Sequence, residues 1–256
     1  MTDPMRRYTA HALLCIVALV LAGCAGMKSR QPTQPWDDAQ QMVVVTTADW
    51  TANTGTLQRY ERDGSGWRAL GEAAPITVGR SGSGWGVGLH APQSGEPQKV
   101  EGDGRAPAGV FRIGTAFGYA DSAAGAWPYQ AMTASDFCID VNASPLYNRI
   151  VDARQVGADA VAGSTEPMRR DLHAGGDQRY KLGFVIEHNP DNRSGTGSCI
   201  FAHLWKAPGE TTAGCTAMAE PVMQQLLAWL DPKRKPVFVL LPVAEYGRVR
   251  KDWRLP

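Results

Sequence analysis

Cys199-Ile-Phe-Ala-His203 and Thr212-Ala-Gly-Cys215 are the two segments of this chain that decide its fold and chemistry. The first is apolar and strand-like, and the second places a cysteine after a glycine, twelve positions beyond His203. A thiol nucleophile needs a base for its proton and backbone N–H groups for an oxyanion. The pattern therefore predicts a catalytic Cys215, with His203 as base and acid. The N–H groups of Gly214 and Cys215 are the candidates for the oxyanion hole.

A zinc site is the competing interpretation of the same residues. Side chains alternate along a strand, so Cys199 and His203 share a face but lie about 13 Å apart. The chain also lacks a Cys-x-x-Cys or His-x-x-x-His pair around them. We therefore expect no metal and no cofactor. The formal net charge of +1 likewise argues against a dedicated nucleic-acid binder.

Residues 1–23 have the pattern of a bacterial lipoprotein signal peptide. Two arginines precede an apolar run over residues 12–22 that is too short to span a bilayer as a helix. The run ends in Leu21-Ala-Gly-Cys24, which resembles a lipobox. The resemblance implies a lipid on Cys24 and a periplasm-facing protein, at the outer membrane because Ala25 and not Asp follows. An ordinary signal peptide cut after a small residue is the alternative.

Three cysteines remain once Cys15 in the signal peptide and the lipidation candidate Cys24 are set aside. One disulfide among Cys138, Cys199 and Cys215 leaves one free thiol. The spacing does not determine which two cysteines pair. We favour Cys138–Cys199, because it leaves Cys215 free for chemistry. Three reduced, buried thiols are the alternative.

The apolar pattern predicts a mainly β (α+β) domain over residues 42–242, after a polar tether at 24–41 and before a tail at 243–256. One prominent helix is expected after Cys215, where Pro221 suits a first turn and Asp231-Pro232 ends the apolar pattern. The segments 181–188 and 198–205 are expected to form an antiparallel pair. The predicted strands are 42–47, 55–60, 75–78, 110–113, 137–141, 181–188, 198–205 and 237–241.

The region around His203 and Cys215 resembles the catalytic motif of the L,D-transpeptidases, the cysteine enzymes that cross-link peptidoglycan. That motif is a strand histidine, a loop with glycine, then Ser/Thr-x-Gly-Cys and a small apolar tail. Segments 105–111, 144–149 and 180–189 also resemble this family, so the likeness spans residues 42–242. It implies the family's β-sandwich with one prominent helix after the catalytic cysteine.

The resemblance implies a reaction on peptidoglycan stem peptides. Cys215 attacks a stem peptide carbonyl, a D-amino acid leaves, and the thioester passes to an amine. Substrate contacts are expected from four residues, Thr212, Ala213, Tyr147 and His188. Tyr147 is alternatively a core aromatic, and His188 alternatively caps a turn.

Two departures from the family pattern bear on what receives the acyl group. Ala213 stands where many members have a histidine, and Ala217 where many have an arginine. The group that binds the substrate carboxylate is therefore open, with Arg149, Arg169 and Arg170 as candidates. Two functions remain as alternatives: an L,D-carboxypeptidase or amidase that uses water, and a wall-binding lipoprotein without catalysis.

Overall fold

The structure, a computed structural model, describes residues 33–64 and 66–256. The predicted signal peptide, the lipidation candidate Cys24 and the first half of the predicted tether lie outside the described residues. Among those described, no helix combines the length and the apolar character that crossing a bilayer requires.

Strands make up most of the regular structure, as the apolar pattern predicts. The strands are β1 Gln41–Thr47, β2 Thr54–Asp63, β3 Gly66–Thr77, β4 Ser83–Trp85, β5 Ala106–Gly118, β6 Tyr129–Ala131, β7 Asp136–Cys138, β8 Ile150–Asp152, β9 Glu166–Pro167, β10 Leu182–Ile186, β11 Phe201–Leu204, β12 Thr216–Met218 and β13 Val237–Pro242. The α-helices are α1 Ala153–Val156, α2 Glu220–Trp229 and α3 Val243–Val249. Short 3-10 helices lie at Ala158–Val161, Arg170–Gly175 and Pro232–Arg234.

β1 and β13 form the centre of the main sheet. Both are continuous apolar runs whose side chains are almost all buried, the pattern of strands covered on both faces. They pair in parallel, with Val44 opposite Val239. From them the strands follow the order β10-β11-β12-β3-β2-β1-β13-β5.

β5 closes this order into a ring. Its 13 residues are long enough for two partners, so residues 109–112 pair with β13 and residues 113–118 pair with β10. The predicted mainly β class is confirmed. The predicted sandwich of two sheets is not what the strand order shows, because the strands of the main sheet close into one barrel-like sheet. The local sequence pattern of β5 does not indicate that this strand pairs with two neighbouring strands.

A small separate sheet combines β7, which overlaps the predicted strand 137–141, with two short strands that the sequence does not predict. In the described chain it consists of β8, β7 and β9, in that order. A disulfide joins Cys138 of β7 to Cys199, which lies just before β11, across 61 residues of sequence. The small sheet is therefore bonded covalently to the chain that leads into the strand of His203. The pairing leaves Cys215 as a free thiol.

α2 is the longest helix in the described part of the chain, and it begins five residues after Cys215. Pro221 occupies its first turn, and Met223, Leu226 and Leu227 form its buried face. This helix covers the core beside β10 and β11. β10 and β11 themselves are antiparallel, as predicted, with Gly183 opposite His203.

Both ends of the described chain pack into the main core. Trp36 lies in the predicted tether and Trp253 in the predicted tail, yet their rings meet edge to face at 5.7 Å. The Trp36 indole N–H donates to the Trp253 carbonyl oxygen at 2.8 Å. Leu255 is buried in the same core. The folded domain thus extends beyond 42–242 on both sides, because these apolar side chains lose their water contact there.

We expect Trp253→Ala to lower the free energy of unfolding by about 3–5 kcal/mol, because it removes a large buried side chain and leaves a cavity. Chemical denaturation followed by fluorescence measures this. Lys251→Ala, an exposed change two residues away, should stay within about 0.5 kcal/mol of the wild type. Equal, small losses in both variants would contradict a folded C-terminal segment.

Candidate active site

Cys215 and His203 lie on neighbouring elements. Cys215 sits directly before β12, and His203 lies on β11, opposite Ala217 in the parallel pair. Their side chains are almost fully buried, with 6% of Cys215 and 5% of His203 exposed. Both line the same cavity of about 100 Å³. The structure thus brings the two predicted catalytic side chains to one enclosed space.

The faces of β11 separate the site from the main core. Phe201 packs with Cys199 and Cys215 in a small apolar cluster. Ile200 and Ala202 belong to the main core instead. The alternation that the sequence predicts along this strand holds, so His203 points to the same side as Phe201.

Cys199 departs from strand geometry, because its φ is +56°, in the left-handed region that non-glycine residues rarely adopt. Two restraints hold it there. Its N–H donates to the Asn148 side-chain oxygen at 2.9 Å, and its sulfur is bonded to Cys138. In this conformation the Cys199 carbonyl oxygen accepts the Cys215 thiol at 3.5 Å. The bent backbone therefore sets the position of the thiol.

The thiol of Cys215 is neutral in this geometry. Burial, with a smaller contribution from the nearby Glu166 carboxylate, raises its pKa to about 12. The backbone N–H of Phe201 donates to Sγ at 3.3 Å, which favours the thiolate but is the weaker effect. At neutral pH the side chain is therefore a thiol.

His203 is a neutral imidazole with a defined tautomer. Its Nδ1 lies 2.7 Å from the Leu204 carbonyl oxygen, which only accepts, so Nδ1 carries the proton. Burial lowers its pKa to about 4. No described residue makes a hydrogen bond with Nε2, and the Cys215 thiol bonds to Cys199 and not to the imidazole. The resting pair is thus a thiol and a free basic nitrogen in one cavity.

Thr212 braces the turn that presents Cys215. Its hydroxyl donates to the Cys215 carbonyl oxygen at 2.7 Å and accepts the Gly214 N–H at 3.1 Å. The predicted oxyanion donor Gly214 therefore already has an acceptor. The backbone N–H of Cys215 has none among the described residues, so it is the available donor. Thr212 serves as a brace more than as a substrate contact.

Tyr147 and His188, two predicted substrate contacts, do not line the cavity of Cys215. Tyr147 is buried, donates to Glu101, and accepts the Gly197 N–H at 3.1 Å. His188 is buried with both ring nitrogens bonded, to the N–H of Val87 at 3.2 Å and to the carbonyl oxygen of Thr196 at 3.0 Å. Both side chains therefore hold loops together. For His188 this agrees with the alternative role in a turn that the sequence analysis left open.

Ala213 and Ala217 do line the cavity, as small side chains at the positions where the motif that the sequence resembles often has a histidine and an arginine. The three arginines considered as replacements lie elsewhere. Arg169 pairs with Asp171, and Arg170 pairs with Asp121 at 2.9 Å, both on the surface. Arg149 is exposed and outside the cavity.

The cationic side chains that line the cavity are Arg179 and Lys206, which were not predicted from the sequence. Arg179 pairs with Asp177 at 2.6 Å, next to the start of β10. Lys206 follows His203 by three residues and lies two residues after the end of β11. Both residues are close in sequence to the predicted strands 181–188 and 198–205, and this closeness is the feature that could have identified them.

Glu166 and Tyr180 are two further residues of the site that were not predicted from the sequence. Tyr180 is buried, its ring meets the His203 ring at 5.4 Å, and its hydroxyl donates to Glu166. Glu166 lies on β9 of the small sheet, far from His203 in sequence, so no spacing rule identifies it. Among the described residues, no group of three or more metal-binding side chains is present.

The resting thiol yields a test. Because the pKa of Cys215 is about 12, its alkylation by iodoacetamide should be slow at pH 7 and should rise without a plateau up to pH 11. In denaturant the same cysteine should level off near pH 9, since an ordinary thiol has a pKa of about 8.5. Mass spectrometry of the peptide that contains Cys215 measures the rate. A plateau below pH 8 in the folded protein would instead indicate a thiolate–imidazolium pair.

Similarity to known proteins identifies the family of this chain. One solved structure, described as that of Bdellovibrio bacteriovorus Bd1075, is similar at 12% identity over 84% of this chain and 55% of that chain, with a TM-score of 0.38. This chain thus spans about half the length of that one. No curated protein matches the chain. Residues 49–239 match the L,D-transpeptidase catalytic domain (YkuD). Because this match covers most of the chain and includes His203 and Cys215, the protein belongs to the L,D-transpeptidase catalytic-domain family.

Proposed function

We propose that this protein is an L,D-transpeptidase, a cysteine acyltransferase that acts on peptidoglycan stem peptides. The observation that carries the proposal is the free Cys215 thiol and the unblocked Nε2 of His203 in one cavity. Nε2 of His203 faces the cavity that Cys215 also lines, whereas the buried His188, which does not line this cavity, has both ring nitrogens bonded. The family match supports the reaction class.

The acylation step uses the groups in the positions described. A stem peptide carbonyl approaches Sγ, the thiol proton passes to Nε2 of His203, and the sulfur attacks the carbonyl carbon. The developing oxyanion receives the N–H of Cys215, which has no acceptor among the described residues. His203 then returns the proton to the amine of the departing D-amino acid, which leaves a thioester on Cys215.

The charge of the departing residue is matched by cations of this cavity. A terminal D-amino acid carries a carboxylate, and Arg179 and Lys206 line the space beside Cys215. The Lys206 side chain is exposed and forms no ion pair with a described residue, so it is available to a ligand. We propose that Arg179 and Lys206 bind this carboxylate in place of an arginine at the position of Ala217.

A covalent adduct tests the function. Incubation with a tetrapeptide muropeptide should add to the protein the mass of the substrate less one D-amino acid, and Cys215→Ala should add none. His203→Gln should slow adduct formation by about 100-fold or more, since it removes the base but keeps a polar side chain of similar size. Intact-protein mass spectrometry follows both. If the wild type never acquires the adduct, the proposed function is wrong.

Hydrolysis of the same bond is the second candidate. The observation that favours it is the lack of side chains at Ala213 and Ala217 that reach toward an acceptor. A carboxypeptidase would form the same adduct on Cys215, but water alone would release it. Product analysis with and without an added amine therefore separates the two functions.

We also propose that the protein is anchored by a lipid on Cys24 and faces the periplasm, at the outer membrane. The lipobox-like end of residues 1–23 supports this. The Cys138–Cys199 disulfide supports it independently, because disulfides persist in oxidising compartments.

The anchor has a direct test in the expressing bacterium. Cys24→Ala should move the protein from the membrane fraction to the soluble fraction and remove the mass of the lipid. Cys15→Ala, within the apolar run of the signal, should leave both unchanged. Membrane retention of Cys24→Ala at wild-type level would contradict lipid anchoring at this residue.

A further inference from the structure

Glu166 is a carboxylate beside the candidate nucleophile that the acylation step does not use. It lines the cavity of Cys215 and His203. It also lines a second cavity of about 280 Å³, which Ala213, Gly214 and Cys215 reach as well. A molecule in either cavity can therefore approach Cys215 and Glu166 together. Two cavities that meet at one nucleophile suit an enzyme with two successive substrates.

Three contacts hold this carboxylate over the site. Glu166 lies opposite Cys138 in the pairing of β7 with β9. The disulfide of Cys138 bonds this small sheet to Cys199, whose carbonyl oxygen accepts the Cys215 thiol. Tyr180 donates its hydroxyl to Glu166 while its ring packs against His203. The position of Glu166 is thus coupled to that of both catalytic side chains.

The charge of Glu166 works against activation of the nucleophile. Its carboxylate raises the pKa of the Cys215 thiol, so it disfavours the thiolate. Among the described residues, none forms an ion pair with Glu166, although Arg179 and Lys206 line the same cavity. Arg179 attracts the Glu166 carboxylate without an ion pair, Asp140 and Asp177 repel it, and its burial remains costly. A ligand that brings a positive charge would relieve this cost.

The acceptor of a transpeptidase brings such a charge, because a primary amine is an ammonium ion at neutral pH. An ammonium ion is not a nucleophile and must lose a proton before it can attack. Burial raises the pKa of Glu166 to about 7. A base with that pKa is suited to remove a proton at neutral pH.

We propose that Glu166 binds and deprotonates the amine of the acyl acceptor, and so directs the Cys215 thioester to an amine instead of water. This inference rests on the proposed function. The ammonium ion gives one proton to the Glu166 carboxylate, and the free amine attacks the thioester carbonyl. The second nitrogen proton passes to Nε2 of His203 and then to the departing Cys215 sulfur. An amide and a thiol result, and Glu166 releases its proton to solvent.

The partition of the thioester tests this inference. The full chain is given a tetrapeptide muropeptide as donor and Nα-acetyl-lysine as the amine, and the amide and hydrolysis products are quantified by mass spectrometry. Glu166→Gln should lower the ratio of amide to hydrolysis product at least tenfold at pH 7. The control Glu187→Gln changes a carboxylate of similar exposure that lies outside both cavities, and should keep the ratio within twofold of the wild type.

The pH profile separates this role from a structural one. The wild-type ratio should rise to about pH 7, where Glu166 ionises, and then level off. For Glu166→Gln the amine must lose its proton in solution. Its deficit against the wild type should therefore shrink as the pH approaches about 10.4, the pKa of a lysine amine. Glu166→Asp should keep the wild-type shape at a lower ratio, and it serves as the test if Glu166→Gln does not fold.

The outcomes distinguish the two proposals. If the wild type forms no adduct on Cys215, the proposed function fails and this inference fails with it. If the adduct forms and Glu166→Gln gives the wild-type ratio and profile, the role of Glu166 is overturned while the function stands. If the wild type gives hydrolysis alone at every amine concentration, the protein is a carboxypeptidase and the acceptor role is wrong.

Discussion

The left-handed backbone at Cys199 is the constraint on which the rest of the site depends. A non-glycine residue with φ of +56° carries strain of order 1–3 kcal/mol, which the surrounding structure must balance. The disulfide to Cys138 and the hydrogen bond from the Cys199 N–H to the Asn148 side-chain oxygen do so. As a result the Cys199 carbonyl oxygen faces the thiol of Cys215, and the small sheet that carries Glu166 is bonded to the strand of His203.

The electrostatics of the site follow from burial. Removal from water disfavours both the thiolate of Cys215 and the imidazolium of His203, so the resting pair is neutral. A neutral pair costs little to bury and avoids a reactive thiolate in the absence of substrate. The proton then moves only when a carbonyl is present to be attacked. The same burial brings the pKa of Glu166 near neutrality, where a carboxylate can exchange protons with a bound amine.

Some elements of the fold were predictable from the sequence, and others were not. The strand of His203, the helix after Cys215 and the antiparallel partner strand were predictable, because apolar periodicity is a local property of the chain. The two-partner strand β5 and the buried Trp253 were not, since each depends on neighbours distant in sequence. Gly214 illustrates the same point within the site. It has the glycine character expected of an oxyanion loop, but the hydroxyl of Thr212 accepts its N–H.

By itself, the sequence identified the candidate nucleophile, its candidate base, the strand that carries His203 and the resemblance to the family, because these depend on residue types at short spacing. Tertiary structure alone decided which cysteines pair, which N–H groups stay available, and which charges face Cys215. Glu166, Tyr180 and Arg179 reach the site from separate segments. Hydrogen bonds and desolvation act through distances of a few ångströms in space, and separation along the chain does not encode those distances.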